Sequence, residues 1–184
     1  MRASVTGRIS ALVLLASSSF ASADSPALPT PRVSVSQFGD TYFTMLPNED
    51  AYGSGHGTAY RLGRDGSVSE LWHVDGWYAF SVFISNDGKY LVRMGNWAVG
   101  SEPSEEDLAV AFYENGSELR RYSTADLIEK KESVSRSNSH YIWQTSEHEF
   151  PRLEYTNLFY LKTIEGRVLE FDVSTGELLD AKSP

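Results

Sequence analysis

Ser85-Asn86-Asp87-Gly88-Lys89-Tyr90-Leu91-Val92 is the stretch whose reading decides the fold. Asp-Gly is a tight-turn pair, because glycine accepts the positive φ that such a turn demands. Lys89 to Met94 then reads as a strand. On the near side of the turn, Phe80, Val82 and Ile84 share one face of a strand over 77–84 by period-two alternation. The stretch is therefore a reversal between two strands, and degraded copies of it occur on both sides.

Working outward, Thr41 to Leu46 is a strand bounded by Gly39-Asp40 and Pro47-Asn48. Thr58 to Leu62 and Val68 to Val74 flank Asp65-Gly66. Leu108 to Tyr113 and Glu118 to Tyr122 flank Asn115-Gly116. His140 to Trp143, Leu158 to Leu161, Val168 to Val173 and Glu177 to Leu179 complete the strands. Ser123 to Glu132 is the one helix candidate, with Thr124 as its cap.

Two landmarks keep a common period. Asp65-Gly66, Asn115-Gly116 and Glu165-Gly166 are spaced by 50 and 50, and Tyr42, Tyr90 and Tyr141 by 48 and 51. Self-similarity at this length points to a propeller or solenoid array. The fold expected is all-β: antiparallel sheets from about three units of about 50 residues. They would form a partial β-propeller-like array, with a β-sandwich as the alternative.

The totals agree. Tyr, Phe and Trp number 10, 9 and 4 in 184 residues, a load that suits sheet. Arg2 and Arg8, the apolar run Ile9 to Ala16, and Ala21-Ser22-Ala23 have the layout of a secretory signal peptide. The domain expectation is a signal peptide over 1–23, an extended proline-bearing leader over 24–37, and one β-repeat domain over 38–184. Export places the chain in a secreted or periplasmic compartment, with no membrane span in the mature part. Removing 1–23 takes away two arginines and no acid, so the formal charge moves from −9 to −11. That excludes nucleic acid as an expected partner. The absence of cysteine excludes disulfides, thiolate metal sites and thiol nucleophiles.

Residues 85–92 resemble the Ser-Pro-Asp-Gly-Lys-Tyr-Leu turn of WD40-like and TolB-like β-propellers. Phe171-Asp172-Val173-Ser174-Thr175-Gly176-Glu177-Leu178 is similar to the strand and turn that close such blades. The resemblance spans 38–180, but the chain has no Trp-Asp dipeptide, and three blades do not close a ring. It implies a fold and no activity.

Function is therefore sought in three long loops, 47–57, 96–107 and 146–156, which the repeat makes equivalent. The first holds Tyr52 and His56 among alternating glycines, the second Trp97 and an acidic run, the third Glu147-His148-Glu149. Two histidines with neighbouring carboxylates are donors for a divalent metal, so His56, His148, Glu147 and Glu149 form a candidate ligand set. No cofactor is named by any motif. Trp77 and Trp97 lie at turns and could stack on a sugar ring. No nucleophile elbow or phosphate loop is present. The leading expectation is an exported, non-enzymatic protein that binds a protein, small molecule or carbohydrate through its long-loop face, using Tyr52, His56, Trp77, Trp97 and His148. The alternatives are a metal-assisted hydrolase or lyase built on His56 and His148, and a carbohydrate-binding module. Self-association through unpaired sheet edges is a further expectation.

Overall fold

The computed structural model describes residues 26–49, 52–145 and 147–182. The segment read as a signal peptide lies outside the described residues, as do the first two residues of the leader.

Three four-stranded antiparallel sheets follow one another along the chain, and a two-stranded sheet sits between the second and third. The first comprises β1 (Arg32–Val35), β2 (Thr41–Pro47), β3 (Gly55–Leu62) and β4 (Val68–Asp75). The second comprises β5 (Val82–Ile84), β6 (Tyr90–Met94), β7 (Leu108–Glu114) and β8 (Ser117–Ser123). A single helical turn, α1 (Thr124–Leu127), leads to the small pair β9 (Ser135–Arg136) and β10 (Tyr141–Ile142). The third large sheet comprises β11 (Arg152–Leu153), β12 (Leu158–Lys162), β13 (Val168–Asp172) and β14 (Glu177–Lys182). Each large sheet is a meander, so strands adjacent in sequence are adjacent in space. The described residues are all-β apart from short helical turns, and their sheets do not close into a barrel.

The opening stretch recurs, although not everywhere the tyrosine spacing put it. The turn between first and second strands has one hydrogen-bonding pattern in all three sheets. Gly39 N–H donates to Ser36 O (3.0 Å), Gly88 N–H to Ser85 O (2.9 Å), and Asn157 N–H to Glu154 O (3.0 Å). All three donors have positive φ, at 83°, 70° and 62°. The first strands begin at Arg32, Val82 and Arg152, so the first interval is 50 residues and the second 70.

Several expectations change accordingly. Residues 32–35, read as leader, pair with β2 as the first strand of sheet one. The strand expected over 77–84 shortens to Val82–Ile84 and is the first strand of sheet two. Tyr141 belongs to the small β9–β10 sheet, and the counterpart of Tyr90 in sheet one is Thr41 rather than Tyr42, since each N–H donates to the Oγ of the serine five residues before it. Glu165-Gly166 joins the second and third strands of its sheet, whereas Asp65-Gly66 and Asn115-Gly116 join third and fourth. An irregular insertion ahead of β11 displaced the last unit, and an unrelated turn happened to fall on the expected period. The helix is capped by Ser123, not Thr124. The Ser123 hydroxyl accepts Asp126 N–H at 3.2 Å and the Asp126 carboxylate accepts Ser123 N–H at 2.7 Å, a reciprocal capping box.

The sheets pack face to face, with the second in the middle. Alternation along its strands sends Leu91, Ala111 and Tyr113 to one side, where they join Phe43, Met45, Ala59, Trp72 and Val74 of sheet one. Val92, Val110 and Phe112 go to the other side, against Phe159, Leu161, Leu169 and Phe171 of sheet three. This explains the unbroken apolar run of β7, whose central five residues are all buried.

Sheet one also grips the first turn of sheet two by hydrogen bonds from each of its parts. Phe38 N–H donates to Asn86 Oδ1 (2.9 Å), and Thr41 Oγ1 to Ser85 O (2.9 Å). Arg61 Nη2 donates to Asp87 O, and Trp72 Nε1 donates to Gly88 O at 2.7 Å in a buried bond. Gly88 is held at positive φ, and a Cβ there would collide with the Leu71 side chain. Gly88→Ala should therefore cost more than about 1 kcal/mol, and Trp72→Phe, which leaves a buried carbonyl unpaired, about 1–3 kcal/mol. Urea unfolding measures both, and wild-type midpoints for the pair would contradict this account of the turn.

Candidate functional site

Two of the three long loops meet. The β2–β3 connection and the β6–β7 connection are equivalent in the two meanders, and both hang on Tyr78, whose side chain is fully buried. Tyr78 N–H donates to Gly53 O (2.8 Å) in the first loop. Asn96 in the second loop donates from Nδ2 to Tyr78 O (2.7 Å) and accepts Phe80 N–H at Oδ1 (3.0 Å). The Tyr78 hydroxyl reaches the leader, donating to Thr30 O (2.8 Å) and accepting from Thr30 N–H (3.2 Å) and Arg32 Nε (3.3 Å). One tyrosine thus sets the relative positions of both loops and the leader.

Between the loops lies a cleft of about 530 Å³ lined by Tyr52, Arg93, Trp97, Glu106, Asp107 and Leu108, among others. Tyr52 is half exposed, and burial, with Tyr78 beside it, raises the pKa of its phenol. Trp97 also borders a second cavity of about 220 Å³, where the His140 ring lies 3.9 Å from its own. Arg93 stacks over Trp77 at 4.4 Å, and its Nη1 donates to the Tyr113 hydroxyl at 3.5 Å. Its Nε is buried without a hydrogen-bond partner among the described residues. Asp107 is braced: Oδ2 accepts from the Tyr141 hydroxyl (2.7 Å) and Oδ1 from Val99 N–H (3.3 Å). Thr124 Oγ1 lies 2.6 Å from the same Tyr141 hydroxyl.

Of the residues singled out from sequence, Tyr52 and Trp97 come together in this cleft. Trp77 does not line it. Its ring packs between Phe43 (6.4 Å) and Tyr113 (5.5 Å) and supports Arg93 from beneath. His56 is exposed on β3, opposite Leu46 and Asp75. Glu147, His148 and Glu149 are exposed between β10 and β11. Glu147 pairs with Lys162 Nζ at 2.8 Å, and the Glu149 carbonyl accepts from Arg152 Nη1 at 3.3 Å. Among the described residues, no group of three or more His, Asp or Glu side chains is placed to hold a metal ion, so these four are not gathered into one. The loop 146–156 is not equivalent to the other two. It contains β11, and the true third counterpart is the short turn between β12 and β13.

Arg93 and Asp107 were not singled out from sequence. Arg93 had a visible signal, a lone charge inside the apolar run Tyr-Leu-Val-Arg-Met. Asp107 was hidden at the end of an acidic run. The cleft combines an aromatic pair, a guanidinium and two carboxylates, a set suited to holding a polar organic molecule with a flat or apolar body. Ser137 Oγ lies 2.6 Å from His140 Nδ1, but the same oxygen bonds the His140 backbone N–H and carbonyl. That geometry closes a turn and does not present a nucleophile.

No family model matches the chain, and no curated protein matches it. Among solved structures, that of Saccharomyces cerevisiae Sqt1 is similar at 12% identity and a TM-score of 0.32, over 82% of this chain and 49% of Sqt1. The chain thus spans about half the length of that protein, and a likeness of this size carries no argument about function.

Tyr141, which braces Asp107 from behind the cleft, carries a pH signature. Burial chiefly, with the Asp107 carboxylate adding to it, pushes its phenol up to about 12. An unfolded tyrosine titrates near 10, so the folded chain holds this proton more tightly. The stability it confers is complete below about pH 10 and is lost as pH rises through about 12. Tyr141→Phe should flatten the fall of Tm over that window, and equal slopes in variant and wild type would exclude the linkage.

Proposed function

We propose that this chain is an exported β-repeat binding protein, non-enzymatic, that takes a small polar organic ligand or carbohydrate at its long-loop face. The observation that carries the reading is the convergence of Tyr52 and Trp97, from separate loops of separate sheets, on one cleft with Arg93. Aromatic rings at such positions supply contact area at little entropic cost, and the charged groups between them fix orientation. The braced carboxylate of Asp107 and the stacked guanidinium of Arg93 are pre-set for this role and need no ordering on binding.

In the same reading the three meanders are blades of an open, partial propeller. Support comes from the first strands, since β1, β5 and β11 share a crevice of about 260 Å³ lined by residues such as Val35, Val82 and Arg152. Convergence of equivalent strands is what a radial array requires. Binding at the loop face at one end of such an array is then the expected place for function.

The test is a titration of the purified chain against a panel of oligosaccharides and small polar aromatics, followed by tryptophan fluorescence and ligand-observed NMR. Tyr52→Ala and Trp97→Ala should each weaken a hit about tenfold or more, and His56→Ala should leave it unchanged. Binding that survives both aromatic truncations would place the site elsewhere.

A further inference from the structure

The register of sheet one sorts its outward face into cross-strand rows. Val35, Tyr42, Tyr60 and Glu70 lie side by side in one, and Val33, Thr44, Thr58 and His73 in the next. Across β1, β2 and β3 these two rows carry no formal charge, and charge enters only at the β4 rim. Val33 and Val35 are 63% and 59% exposed, and the Tyr42 and Tyr60 rings stack at 5.2 Å. The opposite face of the sheet is committed to the core, and the outward rows belong to neither core cluster. An uncharged centre with a polar rim is the anatomy of an interface rather than of a solvated sheet.

The other end of the stack is different. The outward row of sheet three is Arg152, Tyr160, Glu170 and Asp180, and Arg152 lies over the Tyr160 ring at 4.5 Å. In the next row Lys162 and Lys182 flank Val168. Charges of both signs suit that face to water.

We propose that the outward face of sheet one is a dimer interface that takes the same face of a second copy of this chain. The argument is self-complementarity. A twofold axis across the strands, between the two rows, lays the first row of one copy on the second row of the other. Tyr42 and Tyr60 then meet Thr44 and Thr58 of the partner subunit, large side chains over small. Val35 meets Val33 of the partner subunit, and the Glu70 carboxylate meets the imidazole of the partner's His73. Within one chain His73 has its nitrogens 3.9 Å from Glu70 and 3.9 Å from Asp75, so the rim already holds both donors and acceptors. Strands spaced about 4.8 Å apart and rising about 3.3 Å per residue make this a plate roughly 20 by 15 Å. That is about 300 Å² on each copy and about 600 Å² in total, well below the roughly 1,200 Å² of standard specific interfaces, so the association is weak, transient and concentration-dependent.

Sedimentation equilibrium of the purified chain tests it. A monomer–dimer equilibrium is expected, with the dissociation constant raised about tenfold or more by Tyr60→Arg and unchanged by Tyr160→Arg on sheet three. A monomer up to the solubility limit overturns the proposal, as does a dimer broken by Tyr160→Arg and not by Tyr60→Arg. Because the chain has no cysteine, a second readout does not depend on breaking the contact. Thr44→Cys should be joined into a dimer by a short bis-maleimide while Glu170→Cys is not, and the reverse pattern, or no cross-linking of Thr44→Cys, overturns the proposal.

Discussion

The rest of the structure depends on the capture of one turn. Residues 85–88 are held by Phe38, Thr41, Arg61 and Trp72, one donor from the first turn of sheet one and one from each of its last three strands. These bonds fix the distance and angle between the first two sheets, and so decide which side chains of β6 and β7 fall into which core. Sheet three is latched onto sheet two in a related way. Tyr122 donates from its hydroxyl to Gly176 O at 3.0 Å, and Gly176 sits at positive φ against Phe112 and Arg120. Apolar burial supplies the bulk of the stabilisation. The directional bonds select one register among the many that apolar faces alone would tolerate.

That division explains what could be read in advance. Alternation, turn dipeptides and aromatic content are local signals, and they identified the all-β class, most of the strands and the turn at Asp87-Gly88, but not which strands share a sheet. The equivalence of Tyr42 and Tyr90 missed by one residue, because Thr41 is the residue that occupies the place of Tyr90 after the turn, its N–H donating to Ser36 Oγ as that of Tyr90 donates to Ser85 Oγ. The third unit failed for a long-range reason. The described residues between β8 and β11 form a capped turn, a short 3-10 turn, a two-residue strand pair and irregular chain, and they put Leu127, Ile128, Val134, Tyr141 and Trp143 into the core with sheets two and three. Glu165-Gly166 fell on the expected period by coincidence. Its role is settled by pairing between β12 and β13, which no local pattern encodes.

The lining of the candidate cleft was legible in part. Tyr52 and Trp97 stood out as aromatics in long loops, and the first two loops were correctly matched. Arg93 was missed because a strand residue is read by face, and which face looks onto a cleft depends on the neighbouring sheet. The histidines illustrate the converse limit. His56 and His148 share a chemistry, yet one is fixed by the pairing of β3 and the other by the insertion before β11. Donor type in a sequence says nothing about whether three donors will face one point. Tyr78 carried no signal at all. Its importance lies in one side chain and its backbone serving three segments at once.

Each large sheet is completed by an unbroken stretch of chain, residues 32–75, 82–123 and 152–182. The hydrogen bonds that position sheet two come from sheet one, and the latch on sheet three comes from sheet two. Sheet one can therefore form while the remainder is still emerging, and its exposed flank then serves as the template on which sheet two condenses. Assembly proceeds by addition from the N-terminus, with short loop closures at each stage and no need for the chain ends to find one another. Assembly by local meanders of this kind has no step that demands pairing between the first and last sheets.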